Sequence, residues 1–338
     1  MNNSRYKHIT QKEVADKAGV SLSAVSRAFT PGASVSAKTR AKIETAANAL
    51  GYKTNILAQS LMTNRTRLIG VISSNFENPM FIEVLDLITK ELQSRNYRSL
   101  VENLATESKP EDVLDRLLQY RVDGVLFLSS VLPSIFAEVC AKAKLPAAIM
   151  FGRENIEGPI NIVTADNYRG GEMGVQLLLD HGYRKIAFLG GPINATTTID
   201  RKQSIVETLK QHDLELTAVE HCDVYSYESA RKQSLKLLQE NPEIEAVFCG
   251  DDILAIATLD TARELGKKCP DDIGILGFND MSMASWGAYN LTTIQQPIKA
   301  MVDVAVDIII NRIEQPQLDT EKRLLPCQVV LRGTLKQQ

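Results

Sequence analysis

The chain has 338 residues, room for two or three domains, and 44% apolar with 23% charged residues is the composition of a folded globular protein. A disordered chain, a collagen-like repeat and a coiled-coil rod are thereby excluded. The formal charge of −3 hides a split: Met1–Arg65 carries ten Lys and Arg against three acids, or +7, and the remainder carries 28 against 38, or −10. A basic head on an acidic body points to a polyanion-binding module joined to something else.

In chain order, Thr10-Gln11-Lys12-Glu13 has the form of a capping box, and Val14, Ala15 and Ala18 follow at helical spacing. Gly19 ends that helix because it tolerates the left-handed conformation. Ser21 then caps a second helix with Val25 and Phe29 turned inward, and Pro31-Gly32 breaks the chain. Ser36 opens a third, in which Ile43, Ala46, Ala47 and Leu50 form one stripe, and Gly51 closes it. Three short helices with a four-residue turn at Ala18–Ser21 predict a helix-turn-helix unit.

The stretch "ITQKEVADKAGVSLSAVSRAFTPGASVSAKTRAKIETAANALGYKTNILAQSLMTNRT" resembles the DNA-binding head of the lactose/galactose-repressor family of bacterial regulators. The resemblance runs through V-A-x-x-A-G-V-S, V-S-R, V-S-x-x-T-R and G-Y-x-x-N-x-x-A-x-x-L, in order and at the right spacing. It implies that the second helix enters the major groove with its N-terminal residues at base edges. Leu22 and Ser23 hold the positions that set operator preference in the family. Leu22 suits a thymine methyl, Ser23 donates or accepts with little selectivity, and Arg27 suits guanine O6 and N7. Ser21, Ser26, Lys38, Thr39 and Arg40 are expected on phosphates, although Lys38 and Arg40 also fit a plain solvated helix face. Ala24 stands where the family usually has Thr, which removes one hydroxyl contact.

Asn55–Met62 resembles the family's hinge helix, too short to be stable alone in water. Asn55, Ala58 and Leu61 are the residues that the resemblance places on DNA, with Leu61 as the wedge between central base pairs in the minor groove. Thr54 replaces the family's usual Pro, so entry into this helix is less rigidly set.

After Arg67 short apolar runs recur at Leu68–Ile72, Val125–Leu128, Ala147–Met150, Ile186–Leu189, Ala246–Phe248 and Ile273–Leu276. Amphipathic stretches lie between them: Phe81–Leu92, Glu111–Tyr120, Gly170–His181, Arg201–His212, Ser229–Gln239 and Asp252–Leu265. Such alternation predicts parallel sheets covered by helices, and its length predicts two lobes. The expected division is a helix-turn-helix domain over 1–54, a hinge and linker over 55–66, and a two-lobed effector-binding and dimerisation body over 67–338. Crossings between lobes are expected near 163–166 and 293–298. No repeat of fixed period is evident.

The body resembles the same family, and through it the periplasmic sugar-binding proteins, in "LIGVISSNFENPMF", "VDGVLFLSS", "VTADNYRGGEMGVQLLLDHGYRKIAFLGG", "FCGDDILAIATLDTARELG", "DIGILGFND" and "LTTIQQP". The fold class is thus a small all-α helix-turn-helix head with a hinge helix, plus an α/β two-lobed periplasmic-binding-protein-like body. Ligands of open α/β lobes sit at the carboxyl ends of strands. The resemblance places Asn75, Phe76, Phe81, Gly152 and Arg153 there from the first lobe. From the second it places Thr197, Arg201, Tyr225, Asp251, Asn279 and Gln296. Asp251, Asn279 and Gln296 match positions that bind sugar hydroxyls, Arg201 an arginine on the effector's polar edge, and Tyr225 an aromatic that stacks on the ligand. Phe76 and Phe81 fit a core role equally well, and Asp252 reads as the cap of the following helix. Asn279 stands where an acid is common and Gly152 where a polar side chain is common.

The five cysteines are odd in number and widely spaced, and the four histidines do not cluster with them, so reduced thiols and no metal are expected. No run approaches about 20 apolar residues and the N-terminus is polar, so neither a membrane span nor a secretory signal is expected. Catalysis has no support. Asp251 and Asp252 are adjacent rather than opposed across a bond, and no glycine pair has a nucleotide-binding context. A sugar-transport binding protein fits the body but not the basic head. The sequence therefore reads as a non-enzymatic, cytoplasmic transcriptional repressor without a cofactor, in which two heads of a homodimer bind a pseudo-palindromic operator and a small carbohydrate effector controls them. The chain lacks the leucine-rich tail of the family's tetramers after Leu331-Arg332-Gly333-Thr334, which favours the dimer.

Overall fold

The computed structural model describes residues 9–30, 32–53, 60, 65–73, 75–104, 110–131, 135–152 and 160–337. The chain forms two compact units, Met1–Thr66 and Arg67–Gln338.

In the first unit, α1 (Gln11–Ala18) opens on the expected capping box. Glu13 N–H donates to the Thr10 hydroxyl at 3.3 Å, and Thr10 N–H donates to the Glu13 carboxylate at 2.7 Å. Gly19 ends the helix at φ 63°. Ser21 accepts from Ala24 N–H at 3.2 Å and starts α2 (Leu22–Phe29); Ser36 does the same for Thr39 N–H and starts α3 (Ala37–Leu50). Val14, Val25 and Ile43, one from each helix, are fully buried together, and Tyr52 closes the base with its ring 5.4 Å from that of Phe29.

The second unit is a pair of six-stranded sheets. The first contains β1 (Leu68–Ser73), β2 (Arg98–Asn103), β3 (Gly124–Leu128), β4 (Ala147–Met150), β5 (Asn161–Ala165) and β11 (Lys322–Leu325), in the order β11-β5-β4-β3-β1-β2. The other contains β6 (Ile186–Gly190), β7 (Ala218–His221), β8 (Ala246–Cys249), β9 (Gly274–Asn279), β10 (Thr292–Gln295) and β12 (Gln328–Val330), in the order β12-β10-β9-β8-β6-β7. Every ladder is parallel except β10–β12. Both lobes thus share one winding, in which the second strand lies outside the first and the third, fourth and fifth follow on its other side. The repeat is topological and leaves no fixed period in the residues. The inner strands β3, β4, β8 and β9 are buried at every position because helices cover both faces.

The first lobe carries α4 (Pro79–Ser94), α5 (Pro110–Gln119) and α6 (Ile135–Lys142), and the second carries α7 (Asn167–Asp180), α8 (Thr196–Gln211), α9 (Tyr227–Glu240) and α10 (Asp252–Glu264). The chain leaves the first sheet after β5 and returns after β10 through α11 (Ile298–Glu314), which packs on α4 and β3–β5. A third crossing, between β11 and β12, has no counterpart among the sequence expectations. Sequence reading took β5 and β10 only as crossings, and it missed the four edge strands β2, β7, β11 and β12, none of them fully buried, together with α6 and α11. α10 departs from the amphipathic pattern expected of it, since Asp252–Leu259 is buried on every side between its sheet and α9.

Candidate functional site

Two groups of residues carry chemistry, one in each unit. In the head, α2 exposes Ser21, Leu22, Ser23 and Arg27, with Leu22 at 52% although it is a large apolar residue. The Ser21 and Ser23 hydroxyls share a hydrogen bond of 3.0 Å, and Arg27 Nε donates back to Ser23 O at 3.3 Å, which lays the guanidinium along the exposed side of the helix. Ser26 is half-buried and its carbonyl accepts from the Thr30 hydroxyl. On α3, Lys38 is exposed, the Thr39 hydroxyl bonds that of Ser36 at 2.8 Å, and the half-buried Arg40 donates from Nη1 to the Ala28 carbonyl. Asn55, Ala58 and Leu61 lie outside the described residues.

In the body, the carboxyl ends of the strands bring polar side chains from both lobes into one network. Asp251 follows β8 and caps α10: Oδ1 accepts from Ile253 N–H at 2.9 Å. Its Oδ2 accepts from Asn279 Nδ2 at 2.8 Å and, across the lobes, from Asn78 Nδ2 at 2.9 Å. Gln296 Nε2 donates to Asn279 Oδ1 and extends the chain to the second crossing. Asn279 and Asp280 take the unfavourable φ values of 122° and 60°. Arg332, 2.7 Å from Asp280 Oδ1, and Gln295 Nε2, 2.7 Å from Oδ2, hold that corner in place.

Arg201, on α8, is the buried cation of the site. Its Nε and Nη2 donate to Asn167 Oδ1 at 2.9 and 2.7 Å, Nη1 donates to Gly250 O, and the guanidinium lies 3.5 Å from the Phe278 ring centroid. Tyr225 shares hydrogen bonds with the hydroxyls of Thr197 at 3.1 Å and Thr198 at 2.7 Å. Asn75 Nδ2 donates to the Tyr225 carbonyl at 3.3 Å, and Thr196 N–H donates to Ser130 O at 3.1 Å; both contacts join the lobes. Burial lowers the Arg201 pKa and raises that of Tyr225. Burial also pushes the carboxyls of Asp251 up to about 6 and Asp252 up to about 7.

Several expected residues stand in the walls rather than on the network. Phe81 belongs to the apolar core, edge-on to Phe151 at 5.7 Å. Phe76 is only half-buried and outside that core. Gly152 leaves little room for a side chain: a Cβ there would lie 3.0 Å from both Ile149 Cγ2 and Ser129 O. The Tyr225 ring rests on Gly191, whose Cβ would fall 2.1 Å from Cζ, so one face and the hydroxyl are already occupied. Arg153 lies outside the described residues. The cap of α10 is Asp251, not Asp252 as expected; Asp252 instead accepts from Thr293 Oγ1 at 2.5 Å and Met281 N–H at 2.7 Å. Asn78, Asn167 and Phe278 were missed. Asn78-Pro79 carried a helix-start signal, but nothing local marks its partner 173 residues away.

Among the described residues no cluster of His, Cys, Asp or Glu could hold a metal, and no helix is long and apolar enough to cross a membrane. All five cysteines are free.

Residues 10–55 match the model of bacterial regulatory proteins of the lacI family, and residues 175–335 match that of the periplasmic binding protein-like domain. The ribose operon repressor of Escherichia coli (strain K12) is 28% identical over 96% of this chain and 99% of its own. The HTH-type transcriptional repressor PurR of Proteus mirabilis is 28% identical over 92% of each. The Lac repressor dimer bound to operator and the anti-inducer ONPF superposes with a TM-score of 0.88 at 26% identity, over 98% of this chain and all of that one.

Proposed function

We propose that the chain, whose residues 10–55 match the model of bacterial regulatory proteins of the lacI family, is a cytoplasmic transcriptional repressor that binds a pseudo-palindromic operator as a homodimer and answers to a small carbohydrate. The observation that carries this reading is α2: a short helix, capped by Ser21, that turns Leu22, Ser23 and Arg27 outward on the segment matching the family's DNA-binding domain. Those three side chains read base edges, and Ser21, Ser26, Lys38 and Thr39 fix register on phosphates. Asn55 and Ala58 join the contact in the minor groove, where Leu61 wedges a central base step. Twofold symmetry sets two half-sites about one helical turn apart.

The effector binds where the lobes meet. Asp251, Asn279 and Gln296 supply carboxylate and amide groups for hydroxyls, and Arg201, Asn75 and Thr197 complete the polar lining. Binding there changes how the lobes close, and the operator responds only as far as the effector's affinity differs between the two closures. Nothing in this scheme requires catalysis. The test is selection of duplexes from a random-sequence pool by the full-length chain. A recovered pseudo-palindrome, lost on removal of Met1–Arg65, supports the reading; a pool that stays random sinks it.

A further inference from the structure

We propose that Arg40 is a positioning residue, which fixes the angle of the base-reading helix by holding its C-terminal end, and is not a phosphate contact. The inference rests on the reading of α2 as that helix. A helix leaves its last four carbonyls without partners in its own ladder, and in an eight-residue helix they are half of its length. Three of them have the following donors among the described residues. Thr30 supplies two donors locally: its hydroxyl reaches Ser26 O at 2.8 Å and its N–H reaches Arg27 O at 3.2 Å. The Ala28 carbonyl takes its donor from Arg40, twelve residues further on and in the first turn of α3.

That contact has the polarity the position calls for, because a cation at the C-terminal end of a helix faces the negative pole of its dipole. It also spans the junction where Ala28 and Val25 of α2 meet Ile43 of α3. Apolar packing sets how far apart the two helices sit but resists a tilt poorly; a directed hydrogen bond from the neighbouring helix resists it well. Arg40 is half-buried, whereas Lys38, two residues earlier, is exposed. The two basic residues of this turn therefore divide the work: Lys38 faces solvent and a phosphate, and Arg40 faces the end of α2. Since Leu22, Ser23 and Arg27 all ride on α2, a change of its tilt moves every base contact together. Recognition of this kind is lost when supporting groups let the reading groups move by about half an ångström.

Salt dependence separates the two roles. Each phosphate contact contributes about −0.9 to the slope of log affinity against log salt on duplex DNA, on any sequence. The experiment measures the full-length protein and its Arg40→Met variant over a salt series, on the duplex recovered by selection and on a scrambled duplex of equal length. The expected result for R40M is a selected-over-scrambled ratio lower by tenfold or more, with the slope of the wild type on both duplexes. A slope reduced by about 1 on both duplexes with the ratio preserved overturns the proposal. Arg40→Lys keeps the charge, but its ammonium ends short of the guanidinium nitrogens; it is expected to lose the ratio too, and a wild-type ratio in R40K overturns the proposal even where R40M fails to fold. A wild-type protein with no preference for any duplex removes the parent reading instead, and Arg40 with it.

Discussion

At the scale of single residues, the body places two adjacent carboxyls where water does not reach, and their protons become part of its stability. Asp251 and Asp252 hold protons up to about 6 and about 7 in the folded chain, against about 4 for an exposed aspartate. Between about pH 4 and 7 the folded state thus binds more protons than the unfolded one, so the contribution of this pair to stability falls as pH rises through that window. Asp252→Asn removes one of the two titrations without emptying its place. The amide oxygen still accepts from Met281 N–H, and the amide nitrogen donates to Thr293 Oγ1. The variant is expected to unfold at a denaturant midpoint that varies less between pH 5 and 7 than the wild-type midpoint does; an unchanged pH profile would show that Asp252 does not titrate there. Gly191 makes a steric prediction of a different kind. With a Cβ 2.1 Å from the Tyr225 ring, Gly191→Ala must push that ring off Thr197 and Thr198. A cost of about 1–3 kcal/mol is expected from overpacking alone, read as a lower unfolding midpoint, and a wild-type midpoint would mean the ring has room to withdraw.

Single elements show why parts of the molecule are legible in the sequence and parts are not. Five of the six boundaries of α1–α3 can be read from neighbours: Thr10 with Glu13, Ser21 with Ala24, Ser36 with Thr39, and the glycines at 19 and 51; the sixth, at Thr30, precedes Pro31-Gly32. Caps are local, because donor and acceptor lie within three residues. The inner buried strands β3, β4, β8 and β9 are legible for a similar reason, since coverage on both faces leaves a run of apolar residues, whereas β5 is equally buried but carries Asn161 and Thr164 in its five residues. β2 is not legible: its exposed and half-buried residues are mixed, without an apolar run. α10 misleads in the other direction, because burial all round erases the polar face that a helix period needs. In the candidate site, the residues that motifs mark are Arg201, Asp251, Asn279 and Gln296, whereas their partners Asn78, Asn167 and Phe278 are set only by the fold. Asp251 shows the limit well. Two adjacent aspartates present the same chemistry in the sequence, and only the geometry decides which one caps α10 and which one holds β10 and the turn after β9. Capping is testable on the element that matters most. Ser21→Ala removes the acceptor for Ala24 N–H and is expected to cost about 1 kcal/mol of helix stability. On a helix of eight residues that loss is expected to weaken affinity for the selected duplex about fivefold, measured by titration at fixed salt. Unaltered affinity would mean that DNA itself holds the first turn of α2 and that the Ser21 hydroxyl makes no phosphate contact.

On the scale of the whole molecule, the division of charge at Arg65 and the division into compact units at Thr66 fall together. A head of +7 draws a polyanion toward it, and a body of −10 repels the same polyanion, so affinity is expected to be confined to the heads. On the proposed reading the body acts on the operator through its own ligand, and linkage states how. A sugar that binds the folded body and not the unfolded chain stabilises it by about 2.7 kcal/mol at a hundred times its dissociation constant. With D-ribose as the first probe and other free pentoses and hexoses after it, a ligand is expected to raise the unfolding midpoint of the wild type. Arg201→Met is expected to abolish that rise: methionine fills the place beside Phe278 but has no donor for Asn167, Gly250 or a ligand. The same variant is expected to keep the wild-type preference for the selected duplex, since Arg201 lies in the second unit. A midpoint shift that survives in R201M would move the ligand elsewhere in the body. If the ligand releases the operator tenfold, the operator must in turn weaken the ligand tenfold, because the coupling free energy is one quantity seen from two sites. Titrating the sugar into protein alone and into protein saturated with the selected duplex measures that factor from the other side. Unequal factors would mean that a third state, such as a dissociated dimer, takes part in the exchange.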